Sequence, residues 1–127
     1  SELALVKHVA EGETVGYGRT FAARRESVIA SVPIGYYDGY ARNLSNLGIM
    51  IVNGKIAPVV GRVSMDWVTI DISEIAGANA GTRVTVIGSE HDIAIKAEDI
   101  AAMLSTISYE VTCGISTRVP RIFEEKI

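Results

Sequence analysis

Isoleucine and valine dominate this chain: 14 Val and 16 Ile stand against 5 Leu. A β-branched side chain loses rotamer freedom in a helix and packs well on a pleated sheet. Such an excess over leucine points to a mostly β fold. The 12 glycines agree, because many short strands need many turns. With 127 residues, the chain is expected to form a single domain over 1–127. One core would bury roughly two thirds of the unfolded surface.

Composition narrows the function classes. Apolar residues make up 48% and charged residues 21%, an ordinary globular balance. No apolar run reaches the ~18 residues of a membrane span. No signal-peptide pattern shows at residues 1–7, so a cytoplasmic location is expected. The net charge is −3 with no basic stripe, which argues against nucleic acid or an anionic membrane as a partner. One cysteine, Cys113, leaves no internal disulfide and suits a reducing compartment. It reads as a small core residue.

The local patterns are short. Strands are expected at Leu3–Val9, at Ser27–Ile34 with Pro33 at an edge or near the end, at Pro58–Asp66, at Trp67–Ile72, at Thr82–Ile87 and at Thr117–Phe123. Asn53-Gly54 between β-branched arms marks a hairpin, because that pair supplies the two positive φ angles of a type I′ turn. One helix is expected at Lys96–Ser105, with Ile100, Met103 and Leu104 on one face. Its start lacks a Ser, Thr, Asp or Asn cap. About eight short strands and one helix suggest a small Greek-key-like β-barrel, closed or nearly so.

The chemistry-bearing residues are few. Two histidines, His8 and His91, stand far apart, and no metal-ligand spacing occurs. His91-Asp92 reads as a solvated turn. Five of the eight aromatic residues are tyrosines. Tyr17 lies between two glycines, and Tyr36 opens the loop Gly35-Tyr-Tyr-Asp-Gly-Tyr40. Glycine flanks let the backbone turn sharply and project a ring away from a sheet. Such rings also serve simply as rim packing with wet hydroxyls. A tyrosine base needs help, since its ordinary pKa is about 10 and a nearby cation must favour the phenolate. Arg19, Arg42 and Arg62 are the nearby cations in sequence.

Five motifs then occur in order: Gly16-Tyr17-Gly18, Pro33-Ile-Gly-Tyr36-x-Asp38-Gly-Tyr40, Val60-Gly-Arg62-Val-Ser-Met65-Asp66, Ile107-Ser-Tyr109-Glu110 and Arg118-Val-Pro-Arg121. Together they resemble the C-terminal domain of the alanine racemases, pyridoxal-phosphate enzymes that supply D-alanine for bacterial cell walls. The resemblance covers nearly the whole chain. It implies an N-terminal (β/α)8 barrel, absent from these 127 residues, which carries the lysine that holds pyridoxal phosphate. It also implies a homodimer in which each β domain covers the partner's barrel. The isolated chain is therefore expected to be inactive.

The resemblance also implies residue roles. Tyr17 matches the catalytic tyrosine, acting across the dimer opposite the cofactor lysine. Two such groups on opposite faces exchange the α-proton without moving the substrate, while the cofactor ring absorbs the charge. Tyr36 matches a tyrosine lining the substrate entrance, and Arg42 and Arg62 match arginines further out. Met65 matches a residue whose backbone amide binds the substrate carboxylate, and Asp66 orients that loop or simply forms its turn. Tyr109 matches a tyrosine that hydrogen-bonds the cofactor phosphate of its own subunit. Two positions depart from the pattern. Ser64 stands where cysteine is common, and Tyr37 stands where a small residue is usual. The bulk at Tyr37 leaves a serine racemase open. The barrel-fold amino-acid decarboxylases share the two-domain plan and also stay open. A non-enzymatic β-barrel module for binding or assembly is the competing reading from a different class.

Overall fold

The computed structural model describes residues 1–15 and 21–124. Ten short strands and two α-helices form among them. The strands are β1 (Leu5–Val9), β2 (Thr14–Val15), β3 (Phe21–Ala22), β4 (Ser27–Val32), β5 (Ile49–Val52), β6 (Lys55–Pro58), β7 (Val68–Asp71), β8 (Val84–Thr85), β9 (Gly88–Glu90) and β10 (Ile93–Ile95). The helices α1 (Ala97–Leu104) and α2 (Ser108–Cys113) follow, and a 3-10 turn spans Arg42–Leu44.

Among the described residues the strands pair antiparallel. One sheet has the order β1-β4-β7 and another β6-β5-β8, while β2–β3 and β9–β10 stand as two-stranded ribbons. Single bridges join segments of the larger sheets, Val59 to Ile70 and Glu2 to Arg83. The expected mostly β fold is present. Among the described residues its pairing is divided over four sheets rather than one closed eight-stranded barrel.

The core follows from β-branched patterning. β4 buries Ala30 and Val32 on one face and Ile29 on the other, as a period of two requires. Met50, Ile51 and Val52 of β5 are fully buried because β6 and β8 flank that strand. With Val68 and Ile70 of β7, Leu44 and Ile100 of α1 they make the main core. A smaller cluster of Val9, Val15, Ala23, Ile29 and Val60 lies against the other face of β4.

Several expectations need correction. The strand expected at Pro58–Asp66 stops at Pro58, and beyond it only single bridge positions remain, at Val59 and Arg62. Gly61 has φ +81°, and the next donors go to side chains: Gly61 N–H to Asn46 Oδ1 (2.6 Å) and Val63 N–H to Ser45 Oγ (2.8 Å). No strand forms at Thr117–Phe123, where Arg121 instead donates to the carbonyls of Ile115, Ser116 and Val119. Helix α2 is an addition to the expected elements, and Cys113, at its end, is exposed rather than in the core. Pro33 falls directly after the end of β4, the second of its two expected placements, and β4 itself is a central strand. Helix α1 begins without a small polar cap, yet Asp99 Oδ2 accepts the Lys96 N–H at 2.7 Å and supplies half of a capping box from inside the first turn.

Candidate functional site

The loop after β4 carries Tyr36 and is held by its own aspartate. Asp38 Oδ2 accepts the Gly35 N–H at 2.9 Å, and backbone bonds from Asp38 and Tyr40 to the Gly35 carbonyl close the turn. Tyr40 points inward and is buried, and burial pushes its phenol pKa upward. It is therefore a neutral packing ring at physiological pH. Tyr36 and Tyr37 point outward and are exposed.

A second turn, Ser64-Met65-Asp66-Trp67, precedes β7. The Ser64 N–H and Oγ both donate to the Trp67 carbonyl at 3.0 Å, and Ser64 Oγ accepts the Trp67 N–H at 3.1 Å. The serine that departs from the usual cysteine thus closes this turn. Met65 and Asp66 stand exposed at its tip. Among the described residues, none accepts a hydrogen bond from the Met65 N–H.

Backbone bonds fuse the two loops. The Tyr36 N–H donates to the Ser64 carbonyl (3.0 Å) and the Tyr37 N–H to the Met65 carbonyl (3.1 Å). The approach is so close that a Cβ at Gly35 would overlap the Ser64 and Met65 backbone. This contact is the reason Gly35 must be glycine.

Arg118 joins these loops to the C-terminal segment. Its Nε lies 2.6 Å from Asp38 Oδ1 and its Nη2 2.5 Å from Asp66 Oδ1. Its guanidinium stacks over the Tyr37 ring, 4.5 Å from the centroid. Asp38 is only 8% exposed. The Arg118 bond lowers its pKa most and the Gly35 N–H adds to this, while burial opposes both. Asp38 first and Asp66 second raise the Arg118 pKa, so the guanidinium stays charged. The Ser116 N–H also donates to the Asp38 carbonyl (2.9 Å). Gly39, at φ +114°, lies against the Gly114 carbonyl at the end of α2.

The residues singled out in the sequence fall as follows. Tyr17 lies outside the described residues. Tyr36, Met65 and Asp66 come together on the fused loops. Arg42 and Arg62 are on adjoining segments: the Arg42 carbonyl accepts from Ser45 Oγ, which in turn accepts the Val63 N–H. Tyr109 is 75% exposed on α2, and its hydroxyl makes no hydrogen bond among the described residues. It can therefore serve an outside acceptor such as a phosphate. His91 is the exposed first residue of the β9–β10 turn. Asp38, Tyr37 and Arg118 had no assigned role in the sequence, although motifs contained Asp38 and Arg118. Asp38 and Arg118 are 80 residues apart, and no local spacing signals such a pair.

A concavity of about 490 Å³ lies behind these loops between α1, α2 and the segment around β8. Ile34, Tyr40, Leu44, Ile100 and Leu104 help line it, while Tyr36, Met65 and Tyr109 do not. Its walls are mainly apolar, a seam between helices and sheet. The polar surface at the fused loops is better suited to an amino acid. Among the described residues no cluster of His, Cys, Asp or Glu could hold a metal ion, and no helix is long and apolar enough to cross a membrane.

Known proteins share this architecture. The family model for "Alanine racemase, C-terminal domain" matches residues 1–123. The chain is 43% identical over 124 residues to the alanine racemase of Geobacter sulfurreducens, covering 97% of this chain and 32% of that protein. The crystal structure of alanine racemase from Bacillus anthracis with bound L-Ala-P superposes with a TM-score of 0.92 at 41% identity, over 98% of this chain and 31% of that one. The Bartonella henselae enzyme with covalently bound pyridoxal phosphate gives a TM-score of 0.89 at 32% identity, over 96% and 33%. The chain spans about a third of the length of the relatives it matches. On these matches, the chain belongs to the alanine racemase C-terminal domain family.

Proposed function

We propose that this chain is the single C-terminal β domain, residues 1–127, of a pyridoxal-phosphate-dependent alanine racemase, working in the cytoplasm as a homodimer to supply D-alanine for the bacterial cell wall. The observation that carries the reading is the fusion of the Tyr36 loop with the Ser64–Trp67 turn. Motifs about thirty residues apart in sequence meet through the bonds from Tyr36 and Tyr37. A barrel is the natural reading of the two larger sheets, supported by the bridges Val59–Ile70 and Glu2–Arg83 between them.

The residues divide the work. Tyr17 is the acid/base on one face of the substrate, opposite the lysine of the preceding domain. Its phenolate takes the α-proton from one enantiomer, the lysine returns a proton to the other face, and the roles reverse for the other enantiomer. The cofactor supplies an electron sink for the carbanion. The Met65 N–H donates to the substrate carboxylate, and Tyr36 narrows the entrance beside it. Arg42 and Arg62 attract the anionic end of the amino acid from further out. Asp66 orients the Met65 turn. The exposed Tyr109 phenol suits the cofactor phosphate as a neutral donor on a rigid ring. Alanine is taken as the substrate because the relatives matched over nearly the whole chain are alanine racemases.

The reading is tested by complementation in the full-length dimer. One variant lacks the cofactor lysine and the other is Tyr17→Phe, and each homodimer should be nearly inactive. Mixing equal amounts with exchange of subunits should restore about a quarter of wild-type activity, because half the dimers become hybrid with one complete site of two. Recovery of nothing would show that Tyr17 does not act across the interface.

A further inference from the structure

We propose that Arg118 is a positioning residue that sets the Met65 turn for substrate binding; this rests on the racemase reading above. Three segments meet at its guanidinium. Nε binds Asp38 of the Tyr36 loop at 2.6 Å, and Nη2 binds Asp66 of the Met65 turn at 2.5 Å. The flat face covers Tyr37. An isolated surface ion pair holds little in place, because both side chains stay free to move. This guanidinium is held in three directions, and its fork geometry fixes the angle between the two carboxylates.

The segment that presents Arg118 is itself held. The Ser116 N–H donates to the Asp38 carbonyl at 2.9 Å, and Arg121 donates to three carbonyls of residues 115–119. Arg118 thus extends from a braced base. The two loops differ in what remains without it. The Tyr36 loop keeps the Asp38–Gly35 bond and its backbone turn. The Met65 turn keeps its own Ser64–Trp67 closure and the bonds from the Tyr36 and Tyr37 N–H groups to the Ser64 and Met65 carbonyls, but its tip loses the Asp66 tether. Loss of Arg118 therefore loosens the tip that carries the Met65 N–H more than it unfolds either loop. An amide that binds the substrate carboxylate before and during reaction contributes mainly to KM.

The test uses the full-length enzyme and measures kcat and KM for alanine, the Tm, and the absorbance of the bound cofactor. Arg118→Gln should raise KM roughly tenfold with kcat within about threefold of wild type. The cofactor spectrum should not change, because the cofactor lysine is on the other domain. Asp66→Asn should reproduce the KM effect while leaving the Asp38 bonds intact, so it reports even if Arg118→Gln folds poorly. The double variant should be no worse than Arg118→Gln alone, because the two residues act through one bond. Arg118→Lys, with one charge and no fork, should fall in between. An unchanged KM in Asp66→Asn, or effects that multiply in the double variant, would overturn the positioning role while wild-type racemisation left the racemase reading standing. A wild-type enzyme that does not racemise alanine would overturn both.

Discussion

At the scale of single residues, Asp38 carries a pH-dependent part of the stability. Arg118 and the Gly35 N–H hold its folded pKa below the ordinary value, which in an unfolded chain is about 3.9. The ionised pair therefore contributes fully above that pH, and the contribution fades as pH falls toward the lower folded value. Asp38→Asn keeps an acceptor for Gly35 but loses the charge. Its Tm should lie a few degrees below wild type at neutral pH, and the gap should close on acidification. Thermal melts of both proteins across the acid range check this, and a gap that widens toward low pH would contradict it. Tyr40 shows the opposite use of the same side-chain type as Tyr36. It follows the exposed ring closely in the same loop, yet it is buried with its hydroxyl against Gly48.

At the scale of elements, the β5–β6 hairpin is legible in the sequence because its turn chemistry is local. Asn53 and Gly54 adopt φ of 50° and 73°, as a type I′ turn requires. Gly54→Ala should lower stability by about 1–2 kcal/mol, from the strained backbone and from the His91 ring that occupies the space of a new Cβ. Gly81→Ala is the comparison, since Gly81 also has positive φ but open space around it. Denaturant midpoints should show the larger loss at Gly54, and equal losses would show that His91 gives way freely. The β9–β10 hairpin is not legible, because His91 takes the positive φ without an Asn-Gly or Asp-Gly pair to mark it. Helix α2 is equally hidden: six residues give under two turns of periodicity, and Val111 and Thr112 are weak helix formers.

At the scale of the molecule, large apolar groups remain outside. Ile107, Trp67, Ile122 and Phe123 are exposed, Phe123 to 93%. A racemase domain would cover such groups with the barrel of its own or the partner subunit. The 127-residue chain alone should therefore show no racemisation of alanine and no tight hold on pyridoxal phosphate. Mixing with the cofactor, borohydride treatment and mass measurement of the intact chain should leave no stable adduct at one equivalent. A stoichiometric adduct would place a cofactor site within this domain.

The amino-acid sequence determined the β character of the chain, the Asn53-Gly54 hairpin, helix α1 and the motifs that mark its family. Each is written in side-chain branching, in backbone freedom at one or two positions, or in residues close together along the chain. Tertiary structure alone decided how those motifs meet. Sheet closure and the tail both depended on distant partners. Pro58–Asp66 lost its strand because Ser45 and Asn46 took its donors. Thr117–Phe123 found no neighbouring strand, and its Arg121 binds the carbonyls of Ile115, Ser116 and Val119 instead. The clasp of Arg118 on Asp38 and Asp66 spans 80 and 52 residues. Charges so far apart along a chain become partners only when the fold brings them within hydrogen-bond reach.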